Sequence, residues 1–181
     1  MKKWTTKMIV EAGIMISLAF ILSRIKIYQA PNGGSVTAGS MIPILLFAMR
    51  WGVAPGVVAG ALFGILKLMM GGYVFSPAQA LLEYPIAFAL LGLAGISYNL
   101  ILRKKGNYLF NTILPIFLAI GGRFICHFLA GIIFFGTNTA GQHPAIFSLI
   151  YQSTYLIPEF IVSAVLISII WKPLQQTIRT R

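Results

Sequence analysis

Apolar residues along the chain gather in runs as long as a bilayer core is thick, not in short alternations. A membrane-crossing helix needs roughly 17–25 predominantly apolar residues. Residues 8–27, 53–70, 77–102, 111–135 and 145–171 each meet that requirement. A sixth run, 37–50, is shorter, contains Pro43, and is parted from its successor by Arg50-Trp51-Gly52. It reads as a short or tilted span, with five helices as the alternative count. Between the first two runs the composition changes to turn formers, in the segment Tyr28–Ser40 with Pro31-Asn32-Gly33-Gly34 at its centre. The pattern predicts an all-α integral membrane protein, a six-helix bundle forming a single domain over 1–181. No internal repeat divides it.

Composition supports the same reading. Of 181 residues, 58% are apolar and 9% charged, against roughly 45–50% and about 25% in soluble domains. Too few charges are present to cover an aqueous surface, which excludes a soluble enzyme and a disordered chain. The formal net charge of +11 would elsewhere point to nucleic acid. Here the basic residues fall between apolar runs and act as topology signals, so no nucleic-acid partner is expected. Lys2, Lys3, Lys7, Arg50, Arg103, Lys104, Lys105, Lys172, Arg179 and Arg181 fall on one side of the six-span arrangement. Only Arg24 and Lys26 fall on the other. The positive-inside rule then places both termini in the cytoplasm. The single cysteine, Cys126, lies within an apolar run. No metal-ligand spacing, cofactor motif or phosphate-cradling Gly-rich loop occurs, so any ATP-driven work falls to another subunit.

Ionisable residues inside spans cost roughly 2.5–3.5 kcal/mol each and call for a reason. At 1.5 Å per residue, Glu83 lies about 9 Å from the outer end of its helix, His127 about 12 Å and Gln152 about 10 Å. Three helices thus bring an acid, an imidazole and an amide to one depth. Helical spacing extends each into a stripe: Gln79, Glu83 and Tyr84; Arg123, His127, Gly131 and Phe135; Ser148, Gln152, Tyr155 and Glu159. With Tyr73, Phe147 and Tyr151 they point to one aromatic-lined cavity for a flat heteroaromatic ligand, its positive charge met by Glu83. The competing readings are a protonated Glu83 bonded to a neighbouring helix, a packed His127, and aromatic residues that serve only core or interface. Arg123 and Glu159, deeper, are expected to form a structural ion pair. Lys67 is expected to snorkel outward, Glu11 to reach water at its helix end, and His143 to be solvated. On the first helix Gly13 and Ser17, flanked by Ala12 and Ala19, offer a low-relief surface for a partner helix.

The stretch SMIPILLFAMRWGVAPGVVAGALFGILKLMMGGYVFSPAQALLEYPIAFALLGLAG, followed by HFLAGIIFF, resembles the thiamine-specific S component of energy-coupling factor transporters. Leu82-Glu83-Tyr84 and His127–Gly131 are its most specific parts. The resemblance implies a six-helix substrate-binding subunit of the bacterial plasma membrane, partnered by a transmembrane coupling subunit and two cytoplasmic ATPases. Glu83 would pair with the charged or amino-bearing part of thiamine. Tyr73 and Tyr84 would line the pocket, His127 would pack on a ring, and Gly131 would allow close backbone approach. Phe135, Gln152, Phe147, Ser148 and Tyr151 complete the implied site. The loop after the first helix would be a lid, and the face around Gly13 and Ser17 would meet the coupling subunit. The chain departs from the family pattern where Phe135 replaces Trp, Phe147 replaces Tyr and Gln152 replaces Asn, and where no Trp stands near Gly34.

The leading expectation is therefore high-affinity capture of thiamine for ATP-driven uptake. Two alternatives share the architecture: recognition of a related nutrient such as a pyrimidine precursor or another vitamin, and stand-alone proton-coupled transport of organic cations. An enzyme is not expected, because three acids at unequal depths supply neither a metal cluster nor a nucleophile-base pair.

Overall fold

The computed structural model describes residues 4–30, 33–102, 107–136 and 141–179. Lys2, Lys3, Arg103, Lys104, Lys105 and Arg181, which contribute to the charge bias, lie outside the described residues, as do Pro31 and Asn32 of the expected turn. Among the described residues six helices follow one another: α1 (Thr6–Arg24), α2 (Ile42–Trp51), α3 (Val53–Met69), α4 (Pro77–Leu102), α5 (Tyr108–Phe135) and α6 (Pro144–Arg179). α1, α4, α5 and α6 are long and apolar enough to cross a bilayer, while α2 and α3 are shorter.

Local chemistry sets the helix starts. Thr5, Ser76 and Asn107 cap α1, α4 and α5 by accepting the backbone N–H of Met8, Gln79 and Phe110, which satisfies donors that the helix itself leaves free. Exposed His143 does the same for α6 through Nδ1, 3.3 Å from the Ala145 N–H. α1 ends at Arg24, three residues before the expected boundary, because the chain there becomes extended. Lys26–Gln29 (β1) and Ser35–Thr37 (β2) pair as an antiparallel hairpin. The segment expected to be an irregular loop is thus a small sheet at one end of an otherwise helical bundle.

α2 occupies the centre. Its 10 residues rise about 15 Å, half the hydrocarbon thickness of about 30 Å. Ile44, Leu45, Phe47, Ala48 and Met49 are wholly buried, enclosed by its neighbours, in keeping with a helix that is apolar all round. Gly52, at φ 102°, turns the chain directly into α3, a conformation that costs glycine little. α3 then crosses α4 in close contact. A methyl group at Gly60 would collide with the Phe88 carbonyl, and one at Gly92 would strike the backbone of Gly56 and Val57.

α4 is continuous but irregular, with a π-helical turn at Leu82–Ile86 enclosing Pro85 and a 3₁₀ stretch at Leu90–Gly95. Outward-facing apolar side chains such as Ile9, Ile14, Leu62, Ile125, Ile133, Ile161 and Ile169 form the perimeter, a surface suited to hydrocarbon and not to water. On α1, Gly13 and Ser17 lie on that perimeter in a shallow groove with Val10, Ile14, Leu18 and Ile21. Ala12 and Ala19, expected beside them, turn inward and are buried. Glu11 does not merely reach water. It pairs with Arg50 of α2 at 3.3 Å, and the Arg50 guanidinium also lies 5.8 Å from the Trp51 ring centre.

Candidate functional site

A cavity of about 290 Å³ opens at the hairpin end, between the hairpin and helices α1, α3, α4, α5 and α6. Ligand pockets of small molecules start near that size. Each of Tyr73, Glu83, Tyr84, His127, Gly131, Phe135, Phe147, Ser148, Tyr151 and Gln152 lines it.

Of the three polar groups placed at one depth by helical rise, Glu83 and His127 meet side chain to side chain, while the Gln152 amide reaches the His127 backbone carbonyl. Glu83 stands on the π turn of α4, a local widening that recurs at functional sites. Its Oε1 lies 3.4 Å from His127 Nδ1, and its Oε2 accepts from Gln79 Nε2. Arg123, one turn earlier on α5, donates Nε–H to His127 Nε2 at 3.2 Å. A nitrogen that accepts carries no proton, so His127 is the neutral tautomer with its proton on Nδ1, donated to Glu83. Gln79 in turn accepts the Phe75 N–H at 3.0 Å. The carboxylate is therefore held from both sides, with the α3–α4 connection tied into the same network.

α5 and α6 are fastened beside it. Ser148 Oγ donates to the Phe128 carbonyl at 2.9 Å, and Gln152 Nε2 to the His127 carbonyl at 3.1 Å. Gln152 Oε1 accepts from the Tyr155 hydroxyl. The Gln152 amide thus does structural duty while bordering the cavity. Gly131 is structural in the same sense, since a methyl there would run into Ser148 and only a bare backbone lets the two helices come together.

Aromatic rings enclose the remaining space. Phe147 and Tyr151 stack with an interplanar angle of 5°, and Tyr155 meets Tyr151 edge-on at 5.8 Å between centres. Phe135 packs against Tyr73 and Phe75 near the mouth. The Tyr84 hydroxyl reaches the Tyr73 carbonyl at 3.3 Å.

Glu159 and Arg123 do not pair. Glu159 Oε1 instead accepts both the backbone N–H and the hydroxyl of Thr37, each at 2.6 Å, so this buried carboxylate latches the hairpin onto α6. Gly34 N–H adds a bond to the Tyr151 hydroxyl at 3.0 Å. Arg123 is used by His127, by Met41 Sδ at 2.8 Å and by the face of Phe88 at 4.2 Å. Lys67, expected to snorkel away, borders the cavity with Nζ 5.6 Å from the centre of the same Phe88 ring. Arg24, Lys26, Thr37 and Phe88 also line the cavity, outside the set expected from sequence, as do Tyr155 and Glu159 of the expected α6 stripe. Lys67 sits in the last turn of α3, two residues before its end at Met69, a depth that does not say whether the side chain turns into the cavity or away from it. For Thr37 no periodic signal existed, because the hairpin has no helical register.

Over residues 9–179 the chain matches the family described as "Thiamine transporter protein (Thia_YuaJ)". It is 32% identical over 172 residues to the thiamine transporter ThiT of Bacillus subtilis (strain 168), covering 90% of this chain and 89% of that one. To the thiamine transporter ThiT of Lacticaseibacillus paracasei it is 30% identical over 175 residues, covering 90% and 85%. A solved structure of ThiT from Listeria monocytogenes superimposes with a TM-score of 0.77 at 24% identity, covering 93% of this chain and 96% of that chain. That likeness establishes the fold.

Proposed function

Because the chain belongs to the thiamine transporter family, membrane proteins and not enzymes, we propose that its cavity captures thiamine itself, with Glu83 as the anchor for the ligand's positive charge. The observation that carries this reading is the Glu83 carboxylate, fixed by neutral His127 and by Gln79 on the wall of an aromatic-lined cavity. A flat cation is suited to such a site on two counts, since rings present negative faces to cations and a charge about 4 Å from the carboxylate gains about 4 kcal/mol at an effective dielectric constant of 20. Tyr84, Phe135, Phe147, Tyr151 and Tyr73 supply the ring contacts, with Gly131, Ser148 and Gln152 setting the α5–α6 spacing behind them.

In this reading the hairpin is the lid, held by Glu159 and Tyr151, and the cavity faces outward with both termini in the cytoplasm. Uptake is powered by a coupling subunit and two ATPases, the coupling subunit docking on the α1 face around Gly13 and Ser17. That face is apolar, exposed and of low relief, which allows close approach of another helix.

Equilibrium binding of thiamine to the purified protein is the direct test. Saturable binding at or below micromolar thiamine is expected, with Glu83→Gln weakening it about 100-fold or more and changing a neutral analogue less than about threefold. Absence of saturable binding, or equal losses for the cation and the neutral analogue, overturns the reading.

A further inference from the structure

Residues 70–76 join α3 to α4, and Met70, Gly71, Gly72 and Tyr73 of this connection line the cavity. Its tip, Tyr73, Val74 and Phe75, belongs to no helix or strand, and each of the three side chains is more than half exposed. A tip of that kind lacks a backbone ladder, so its position depends on side chains from elsewhere.

Gln79 ties the tip to Glu83. Its Oε1 accepts the Phe75 N–H at 3.0 Å, and its Nε2 donates to the Tyr73 carbonyl at 3.4 Å and to Glu83 Oε2. A backbone N–H can only donate, so Phe75 holds the amide oxygen on its own side and turns the NH₂ toward the carboxylate. The Gln79 side chain is wholly buried. Withdrawing the tip therefore unmakes two bonds to a buried amide and frees the amide to turn away from Glu83.

Tyr84 adds a parallel tie. Its hydroxyl donates to the Tyr73 carbonyl at 3.3 Å, and its ring lies where a methyl on Gly72 would strike it. Tyr73 and Phe75 in turn pack against Phe135. The root of the connection is pinned separately, by Arg24 Nη2 on the Met70 carbonyl at 3.3 Å. Gly71 follows at φ 105° with open space around it, which gives the tip a pivot beyond a fixed root.

We infer that Gln79 is a positioning residue that couples the Glu83 anchor to the α3–α4 tip, so that ligand on Glu83 and a closed tip favour each other. Only the closed tip keeps the Gln79 NH₂ aimed at the carboxylate. A ligand that binds the anchor better in that state shifts the population toward it. The tie between Gln79 and the tip stands on the hydrogen bonds alone; its response to ligand rests on the thiamine reading above.

Hydrogen exchange at the Phe75 amide, measured on the purified full chain in detergent, reads the tip directly. Without ligand, Gln79→Leu is expected to speed this exchange at least about tenfold, with the amides of α5 unchanged within about twofold. An unchanged rate at Phe75, or equal acceleration throughout α5, overturns the tie. Saturating thiamine is expected to slow exchange at Phe75 in the native protein at least about fivefold, within the range typical of coupled sites. A rate unaltered by bound thiamine overturns the coupling.

A double-mutant cycle tests Gln79 by a measure that general packing does not move. Gln79→Leu is expected to lower thiamine affinity about tenfold in the native background and less than about threefold beside Glu83→Gln. Equal losses in the two backgrounds overturn the positioning role. Failure of the native protein to bind thiamine removes the thiamine reading and the coupling with it, and leaves the ligand-free exchange to decide the tie.

Discussion

Replacing Thr37 by valine isolates the latch that holds the hairpin over the cavity. Thr37 Oγ1 lies 2.6 Å from Glu159 Oε1 and 2.8 Å from Ser40 Oγ. With an ionised carboxylate as acceptor, the Thr37 proton goes to Glu159 and Ser40 donates to Thr37. Valine keeps the volume and removes the hydroxyl, so no cavity is created. Valine also removes the bonds that Oγ1 makes with the Ser40 hydroxyl and N–H. These lie within one turn and are lost in the closed and open hairpin alike. The latch itself loses one buried hydrogen bond to a charged group, worth about 1.5–3 kcal/mol. The Thr37 N–H still reaches Glu159 Oε1, so that oxygen keeps a donor and the lower end of that range applies. A loss of about 1.5 kcal/mol corresponds to roughly a tenfold shift toward the open hairpin. If the hairpin must open before ligand leaves, the dissociation rate of bound radiolabelled thiamine, chased with unlabelled thiamine, rises about tenfold while the association rate changes little. A dissociation rate within twofold of native, or an effect confined to association, would refute the latch.

Three further substitutions test the packing that builds the site. Gly131→Ala drives a methyl into Ser148 and threatens two interhelical hydrogen bonds; a loss of about 2–4 kcal/mol is expected, seen as a lowered midpoint in thermal unfolding together with weakened thiamine binding. Gly60→Ala strikes a backbone carbonyl of α4, which cannot rotate aside, so about 3 kcal/mol is expected, or roughly 6–12 °C in the thermal midpoint of a chain this size. Glu11→Gln breaks the partly buried pair with Arg50 far from the cavity, costing about 1–2 kcal/mol of stability with thiamine affinity unchanged within twofold; a tenfold affinity loss would show that this pair acts on the site.

Much of the site is legible in residue spacing. Depth alone matches Glu83, His127 and Gln152, because a straight helix converts residue count into distance, and the structure joins Glu83 and His127 at 3.4 Å. Spacing does not give the partners. Arg123 and Glu159 have opposite charges and similar depths, yet Glu159 is taken by a hairpin 122 residues away and Arg123 by its own helix and a ring. Lys67 lies inward where snorkelling is expected. Depth fixes one coordinate only, and pairing depends as well on how far each helix is rotated about its axis.

The sequence by itself determined that this is a helical membrane protein, where its long spans lie, and which polar side chains share a level. In hydrocarbon every backbone N–H and C=O must be satisfied within its own segment, so an apolar run of sufficient length has essentially one solution, and that solution is local. Only the tertiary structure decided that the short second helix is a buried core element, that the first loop is a hairpin clasped by Glu159, and that the fourth helix bulges at Glu83. Those features depend on contacts between residues distant in the chain, whose energies exceed the local preferences that a sequence displays.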